Sequence, residues 1–503
     1  MPTRSPAPPL TPLPLTPAPN TLPPGPEADA RLHLLSLPLR SLLRRAPVTA
    51  APQMRIQDAA VLMRDQRVSS LLLVQDGLLC GLVTDRDLRN RVLAAGLDPT
   101  RPLSDIATPA PHTLQASAPG FEALLLMARH QVHHVPVLDG TQPLGMVTAT
   151  DVNEQHSTSA VFLASDIAKQ TELSGLVACA ARVRPLQQQL VTAGASAYNT
   201  GYIVTAITDA LTTRLLQLAE ADLGPPPVPC AWVAAGSQAR HEQTARSDQD
   251  NCLVLDDACE PVAHGAYFEA LARQVCDGLD ACGYVHCPGD IMAKTERWRQ
   301  PLHVWAKTMR QWVETPEPLA LMHSCVFFDV RAVAGEGALL ETLRQGVLQR
   351  TRGNSLFLGH MVGNALKRQP PLGLFGGLSP QRSGEHKGTL NLKHQGIAPI
   401  VDLARIYALA AGHAAVNTHD RLEHAADSGE ISSGGVRDLR DALEHLSLLR
   451  LRHQSRQLAA GQAADNYLNP DELSNFERSQ LKDAFGVVKG LQDVLAQRYG
   501  GGR

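Results

Sequence analysis

An eight-residue phrase occurs twice in this chain, 64 residues apart, and it limits what the first third of the sequence can become. The first copy is Cys80-Gly-Leu-Val-Thr84-Asp-Arg-Asp87, and the second is Leu144-Gly-Met-Val-Thr148-Ala-Thr-Asp151. Each closes an apolar run, Val68 to Val74 or Val132 to Leu138. Each run follows a stretch with helical spacing, Ile56 to Arg67 or Gly120 to Gln131. A unit repeated at a fixed period is one supersecondary module used more than once, with neighbouring copies burying each other's apolar faces. Residues 47–156 therefore read as two copies of one helix-and-strand module. His133 and His134 do not suggest a metal site, because adjacent residues on a strand point to opposite faces.

The flanking segments are read by composition. Residues 1–46 begin with eleven prolines in the first thirty positions, which excludes helix and central strand and leaves a polyproline-like or solvated arm. No apolar h-region follows the start, and no run of 18 apolar residues occurs, so neither a secretory signal nor a membrane span is expected. With a formal net charge of -3 the chain lacks the basic field that nucleic-acid binding needs. Nine scattered cysteines without an export signal read as reduced thiols of a cytoplasmic protein. Residues 157–224 carry helical patterns, such as Ile203, Ile207, Leu211 and Leu215, and end at Gly224-Pro-Pro-Pro. They read as a helical connector without chemistry of its own.

The chemistry concentrates between Ala231 and Leu255. A short apolar run ends at Gly236-Ser237, and Asp248-Gln-Asp250 opens a second one. On a strand, residues i and i+2 face the same side, so both carboxylates point into one site. Two like charges that close repel unless a cation lies between them, and Mg²⁺ fits such oxygen ligands. Gly236 permits close backbone approach to a phosphate, and Ser237 adds a hydroxyl. Further on, Ser324 to Val330 reads as a buried strand bearing Asp329. A charge in an apolar strand must be paired or metal-bound, so Asp329 is the candidate third carboxylate. Trp298, Trp305 and Trp312 lie on a helical stripe that reads as core, with Pro301 opening the helix. Cys282, His286 and Cys287 lack the second thiol pair of a zinc site. Lys387, Asn391, Lys393, His394 and Gln395 form either a phosphate-holding cluster or a solvated loop. Residues 336–503 read as all helix, with Ser474 and Glu477 as a capping box. The fold class is multidomain α/β and α.

The repeated phrase resembles a tandem pair of CBS domains. In that family the closing Thr and Asp hold the phosphate and ribose of an adenine nucleotide. The resemblance assigns this to Thr84, Asp87, Thr148 and Asp151, although capping the next helix would select the same residue types. It also implies a homodimer formed through the CBS pair. Gly236-Ser237 with Asp248-x-Asp250 resembles the DNA polymerase β-like nucleotidyltransferases. The longer string to Asn251, with Cys287-Pro-Gly, Phe328-Asp-Val-Arg331 and Leu392-Lys-His-Gln-Gly, is similar to nucleotidyltransferases related to the N-terminal part of the PII uridylyltransferase. The resemblance implies a mixed-sheet core over 225–335 and a helical substrate-binding domain over 336–503. It further implies that Gly236 and Ser237 hold an incoming NTP, that Asp248 and Asp250 ligate Mg²⁺, and that Asp329 either completes the metal site or helps deprotonate the acceptor. Arg240 and Arg246 are available to neutralise phosphate. The acceptor is open, a protein side chain being one candidate, and the alternative function is a nucleotide sensor without turnover. Ala239 stands where relatives have a second glycine, and the cyclic-nucleotide-binding domain that many relatives carry is not expected in the first 46 residues.

Overall fold

The computed structural model describes residues 38–43, 45–130, 132–148, 159–245, 247–373, 376–427 and 429–499. Most of the Pro-rich arm, Asp151 and Arg246 lie outside the described residues.

The repeat folds as the phrase requires. In the first module α1 (Ile56–Gln66) precedes the hairpin β1 (Ser70–Gln75) and β2 (Leu78–Thr84). In the second, α2 (Gly120–His130) precedes β3 (His134–Asp139) and β4 (Gln142–Thr148). The glycine of each phrase sits opposite the hairpin partner, Gly81 against Leu73 and Gly145 against Val137, and the register shifts one residue later in both copies. The first module has a small core of its own, built on Ile56, Leu71, Leu73 and Val83. The second does not: Val135, Val137 and Val147 belong to the main core of the molecule. The repeat is thus attached through its second half.

The connector contributes α3 (Ser159–Lys169), α4 (Leu173–Ala180), α5 (Val183–Thr192) and the 27-residue α6 (Ala197–Leu223). The Ser196 hydroxyl caps α6, and Gly224, at φ 87°, ends it. α6 is buried on nearly every side, and its interior threonines Thr200, Thr208 and Thr212 return their hydroxyls to carbonyls four residues back.

The central sheet is mixed, in the order β7 (Arg299–Pro301), β6 (Asn251–Leu255), β5 (Cys230–Ala235), β8 (Val330–Gly335). β5 runs antiparallel to both β6 and β8, and the edge strand β7 is parallel to β6. Between β5 and β6 the chain makes the single turn α7 (Gly236–Ala239), and α8 (Pro261–Ala281) covers the sheet. α9 (Leu302–Glu314) starts after Pro301, not at it, and Trp298 lies in the turn before the edge strand. Trp298, Trp305 and Trp312 are buried around Phe327, and the Trp305 indole donates to the Leu253 carbonyl at 3.0 Å, so the stripe is core. The expected strand over Ser324–Val330 is corrected: Pro318–Phe327 is the helix α10, and only Val330 onward joins the sheet. A short apolar run reads equally as buried helix or strand, and here Pro318 at the first helical position decides it.

The C-terminal part is helical, from α11 (Gly337–Thr351) and α12 (Ser355–Ala365) through α13 (Ala398–Ala411), α14 (Thr418–Asp427), α15 (Ser433–Ala459) and α16 (Asn475–Tyr499). Ser474 and Glu477 form the reciprocal cap of α16 at 2.9 and 3.2 Å. No described helix is long and apolar enough to cross a membrane.

Candidate active site

The two carboxylates reach one side because the residue between them goes to the other. Gln249 is buried, and its amide donates to the carbonyls of Cys276 and Tyr284 at 2.9 Å each. Asp248 and Asp250 then face a cleft of about 320 Å³. Ser237 and Arg240 also line it. Gly236 closes against them: its N–H donates to the Asp329 carbonyl at 3.0 Å, its φ is 58°, and a Cβ there would meet Asp250 Oδ2 at 2.9 Å. Glycine is required twice over, for the left-handed backbone and for the space the carboxylate fills.

The carboxylate oxygens of Asp248 and Asp250 and the sulfur of Cys287 lie within 4.8 Å of one another. Burial and then the Asp248 charge push Asp250 up to about 6, against a hydrogen bond from Cys287. Burial and the Asp250 charge push the Cys287 thiol up to about 12. Two facing carboxylates, one of them buried enough for its pKa to rise, in a glycine-lined recess fit a divalent cation.

Cations gather opposite. Lys393 Nζ is 3.9 Å from Asp248 Oδ1, and burial followed by the Arg450 charge lowers its pKa. Arg450 is buried and pushed down to about 10, first by burial. Arg368, His394 and Arg405 complete this wall. Of the basic and polar cluster left open by sequence, Lys393 and His394 face the cleft, while Asn391 caps the following turn.

Asp329, expected as the third carboxylate, is not with the other two. It is fully buried and accepts from Arg240 at 2.7 Å, Arg405 at 2.8 and 2.6 Å, and Arg421 at 2.6 Å. Burial pushes its pKa up, but the Arg405 and Arg421 guanidiniums outweigh burial and hold it well below the carboxylate range. The premise that a buried carboxylate must be paired was sound, and arginines distant in sequence supply the pairing. Arg405 also holds Asp402 at 2.6 Å, and Arg240 holds Glu242 at 2.7 Å. Asp329 therefore fixes Arg240 and Arg405 at the cleft. Arg331, two residues further on in β8, turns away to Asp209 at 2.8 Å. Ala239 is buried and does not line the cleft, so its methyl does not crowd a ligand there.

The connector, read as having no chemistry, forms one end of the cleft. Tyr198 and Gly201 of α6 line it, and the Glu444 carboxylate of α15 receives the Ala197 and Tyr198 N–H groups at 2.6 and 3.1 Å. The Tyr202 ring stacks on His241 at 4.3 Å. A Cβ on Gly201 would strike the His241 carbonyl at 2.7 Å. His241 is held at φ 58°, its buried Nδ1 has no partner among the described residues, and burial pushes it down to about 4.

At the repeat, Thr84 and Asp87 form a reciprocal cap: Thr84 N–H and Oγ1 donate to Asp87 Oδ2 at 2.9 and 2.7 Å, and Asp87 Oδ1 is 3.3 Å from Arg91. Thr148 ends β4. Ser69 and His134 meet across the two modules at 2.9 Å.

Three family models match the chain. The CBS domain model matches residues 39–94 and 103–155. The model described as "Putative nucleotidyltransferase DUF294" matches 181–319, and that of the "Putative nucleotidyltransferase substrate binding domain" matches 355–499. The CBS domain-containing protein YhcV of Bacillus subtilis is 32% identical over 124 residues, 24% of this chain and 89% of YhcV. Hypoxic response protein 1 of Mycobacterium tuberculosis is 38% identical over 96 residues, 19% of this chain and 67% of that protein. A solved CBS domain protein from Pyrobaculum aerophilum, complexed with AMP, is 26% identical and covers 26% of this chain and 98% of its own, at a TM-score of 0.23.

Proposed function

The chain belongs to the DUF294 nucleotidyltransferase family, with a CBS pair ahead of the transferase segments, and from that premise we propose that it transfers a nucleoside monophosphate from an NTP to an acceptor. The observation that carries this reading is the convergence in one cleft of Gly236-Ser237, Asp248 and Asp250, and the cations Arg240, Lys393, Arg405 and Arg450. Carboxylates facing a wall of lysine and arginine suit a triphosphate whose own charge is shared between a metal and the protein.

Asp248 and Asp250 would hold Mg²⁺, which when bound would spread the charge developing on the transferred phosphoryl group. Ser237 offers its hydroxyl to the phosphates at the small turn. Arg240 and Arg405, oriented by Asp329, present fixed donors, and Lys393 and Arg450 add charge from the helical domain. Cleft walls from α6 and α15 exclude water and position the acceptor, for which a protein side chain is one candidate.

An adenine nucleotide at the CBS pair, near Thr84, Asp87 and Thr148, would regulate this cleft. Support comes from the packing: α2 lies against α6, with the half-buried Glu122 of α2 close enough to raise the pKa of Tyr198 and Tyr202 of α6 and to have its own raised by Asp420 of α14. A shift of the second module therefore acts directly on helices that line the cleft.

The test is label transfer. Purified protein is incubated with Mg²⁺ and each α-labelled NTP, alone and with a cell extract, beside Asp248→Asn/Asp250→Asn. Pyrophosphate release that disappears in the double variant supports transfer. Undiminished nucleotide binding with no release under any nucleotide refutes it and identifies a sensor.

A further inference from the structure

We propose that the Cys287 thiol is the third ligand of the cation site, making it a mixed carboxylate–thiol centre that takes thiophilic divalent cations of the Zn²⁺ and Cd²⁺ class more tightly than Mg²⁺. This rests on Asp248 and Asp250 being cation ligands. With Asp329 locked among three guanidiniums, the position a third carboxylate was expected to fill is taken by sulfur.

The placement is built into the backbone. Gln249 N–H donates to the Val285 carbonyl at 3.1 Å, and Gln249 forms a parallel bridge with His286. Residues 285–287 thus run beside 248–250 as a short extension of the sheet. In a parallel pair, neighbours across the bridge share a face. Gln249 and His286 point away from the carboxylates, His286 reaching Lys294 at 3.0 Å, so the next pair, Asp250 and Cys287, shares the opposite face, where the buried thiol hydrogen-bonds to Asp250 behind the cleft wall. Cys287 is then fixed by a tight turn in which Asp290 N–H donates to the Cys287 carbonyl at 3.0 Å and Asp290 takes φ 52°. Among the described residues, Asp248, Asp250 and Cys287 are the group whose ligand atoms converge closely enough for one ion. The neighbouring thiols are spent elsewhere: Cys276 donates to Asn251 Oδ1 at 3.5 Å, and Cys252 lies inside the sheet.

Softness sets the consequence. Thiolate sulfur selects Zn²⁺-like ions, whereas Mg²⁺ demands oxygen ligands and keeps its waters. On coordination the S–H proton leaves to solvent and a metal–sulfur bond forms, with no change of oxidation state.

Cadmium reads the sulfur directly, through its sulfur-to-metal charge-transfer absorbance, and Mn²⁺ bound to carboxylates is read by electron paramagnetic resonance. The full-length protein is titrated with each ion, beside Cys287→Ser and Asp248→Asn/Asp250→Asn. The expected result is one saturating charge-transfer signal present in the wild type and missing from both variants. Cys287→Ser should lose on the order of tenfold or more in Cd²⁺ and Zn²⁺ affinity while Mn²⁺ binding holds. Cadmium NMR on the unmodified protein gives the same answer without a variant, since a sulfur ligand moves the resonance far from the all-oxygen range. A signal that persists in Cys287→Ser, or a wild type that binds Mn²⁺ without any Cd–S signal, overturns this proposal and leaves the transferase reading standing. Failure to bind either ion overturns both.

Discussion

Replacing Asp329 by Asn removes one negative charge from the centre of three buried guanidiniums and keeps the side-chain shape. Four N–H groups now reach its two oxygens at 2.6–2.8 Å with no solvent exposure. Breaking a buried pair by neutralising one partner typically costs about 3–5 kcal/mol, because the other charge is left buried. The three arginines are not equally stranded. Arg405 keeps Asp402 and Arg240 keeps Glu242, whereas Arg421 retains only the Ala415 and Phe328 carbonyls. The loss therefore falls near the lower end, about 3 kcal/mol, rather than three times a single pair. In units of about 150–250 residues this would be a fall of roughly 6–12 °C in Tm, and in the longer unit formed by residues 181–499 it is about 6 °C or less. Tryptophan emission is the proper probe, since all four tryptophans belong to the sheet region and three pack around Phe327, two residues from Asp329. A urea midpoint that falls with unchanged slope is the expected result. An unchanged midpoint with lost Mn²⁺ binding would refute the clamp and return Asp329 to the metal site. Because the folded-state pKa is depressed, this stabilisation is present at neutral pH and disappears only in strong acid.

Gly236→Ala places a methyl 2.9 Å from Asp250 Oδ2 at φ 58°, so cation affinity measured with Mn²⁺ should fall by about tenfold or more, and the backbone strain of about 1–3 kcal/mol should lower Tm by a few degrees. Glu122 is pushed up to about 7, first by burial and then by Asp420, so its contribution is fully present below about pH 4.5 and is lost as pH rises towards 7, by up to about 3 kcal/mol. Thermal midpoints measured across that window should decline in the wild type and flatten in Glu122→Gln; equal slopes would exclude the buried carboxyl as the cause.

What the sequence discloses here is whatever depends on neighbours along the chain. The hairpin phrase is legible because Gly81 and Gly145 must each lie against a packed strand, and Asp248 and Asp250 because alternation on a strand is local. The capping box of Ser474 and Glu477 is local in the same way. In the sequence Cys287 reads only as part of an incomplete zinc set with Cys282 and His286, because its neighbours across the bridge, Gln249 and Asp250, belong to another segment. Lys393 and Arg450 acquire meaning only when the helical domain folds over the sheet. Tyr198 and Gly201 were hidden for a different reason: α6 is apolar and buried on so many sides that no face announces a site. The run Ser324–Phe328 carried no periodicity able to separate helix from strand.

The clamp around Asp329 also orders events during synthesis. The carboxylate leaves the ribosome just after the first matched transferase segment, but Arg405 and Arg421 follow 76 and 92 residues later. Until they arrive only Arg240 can pair with Asp329, so burying the carboxylate at the start of β8 is incompletely compensated until the helical domain follows. The two matched transferase segments are consequently one folding unit, and a fragment cut between them would be a poor starting point for either expression or domain grafting.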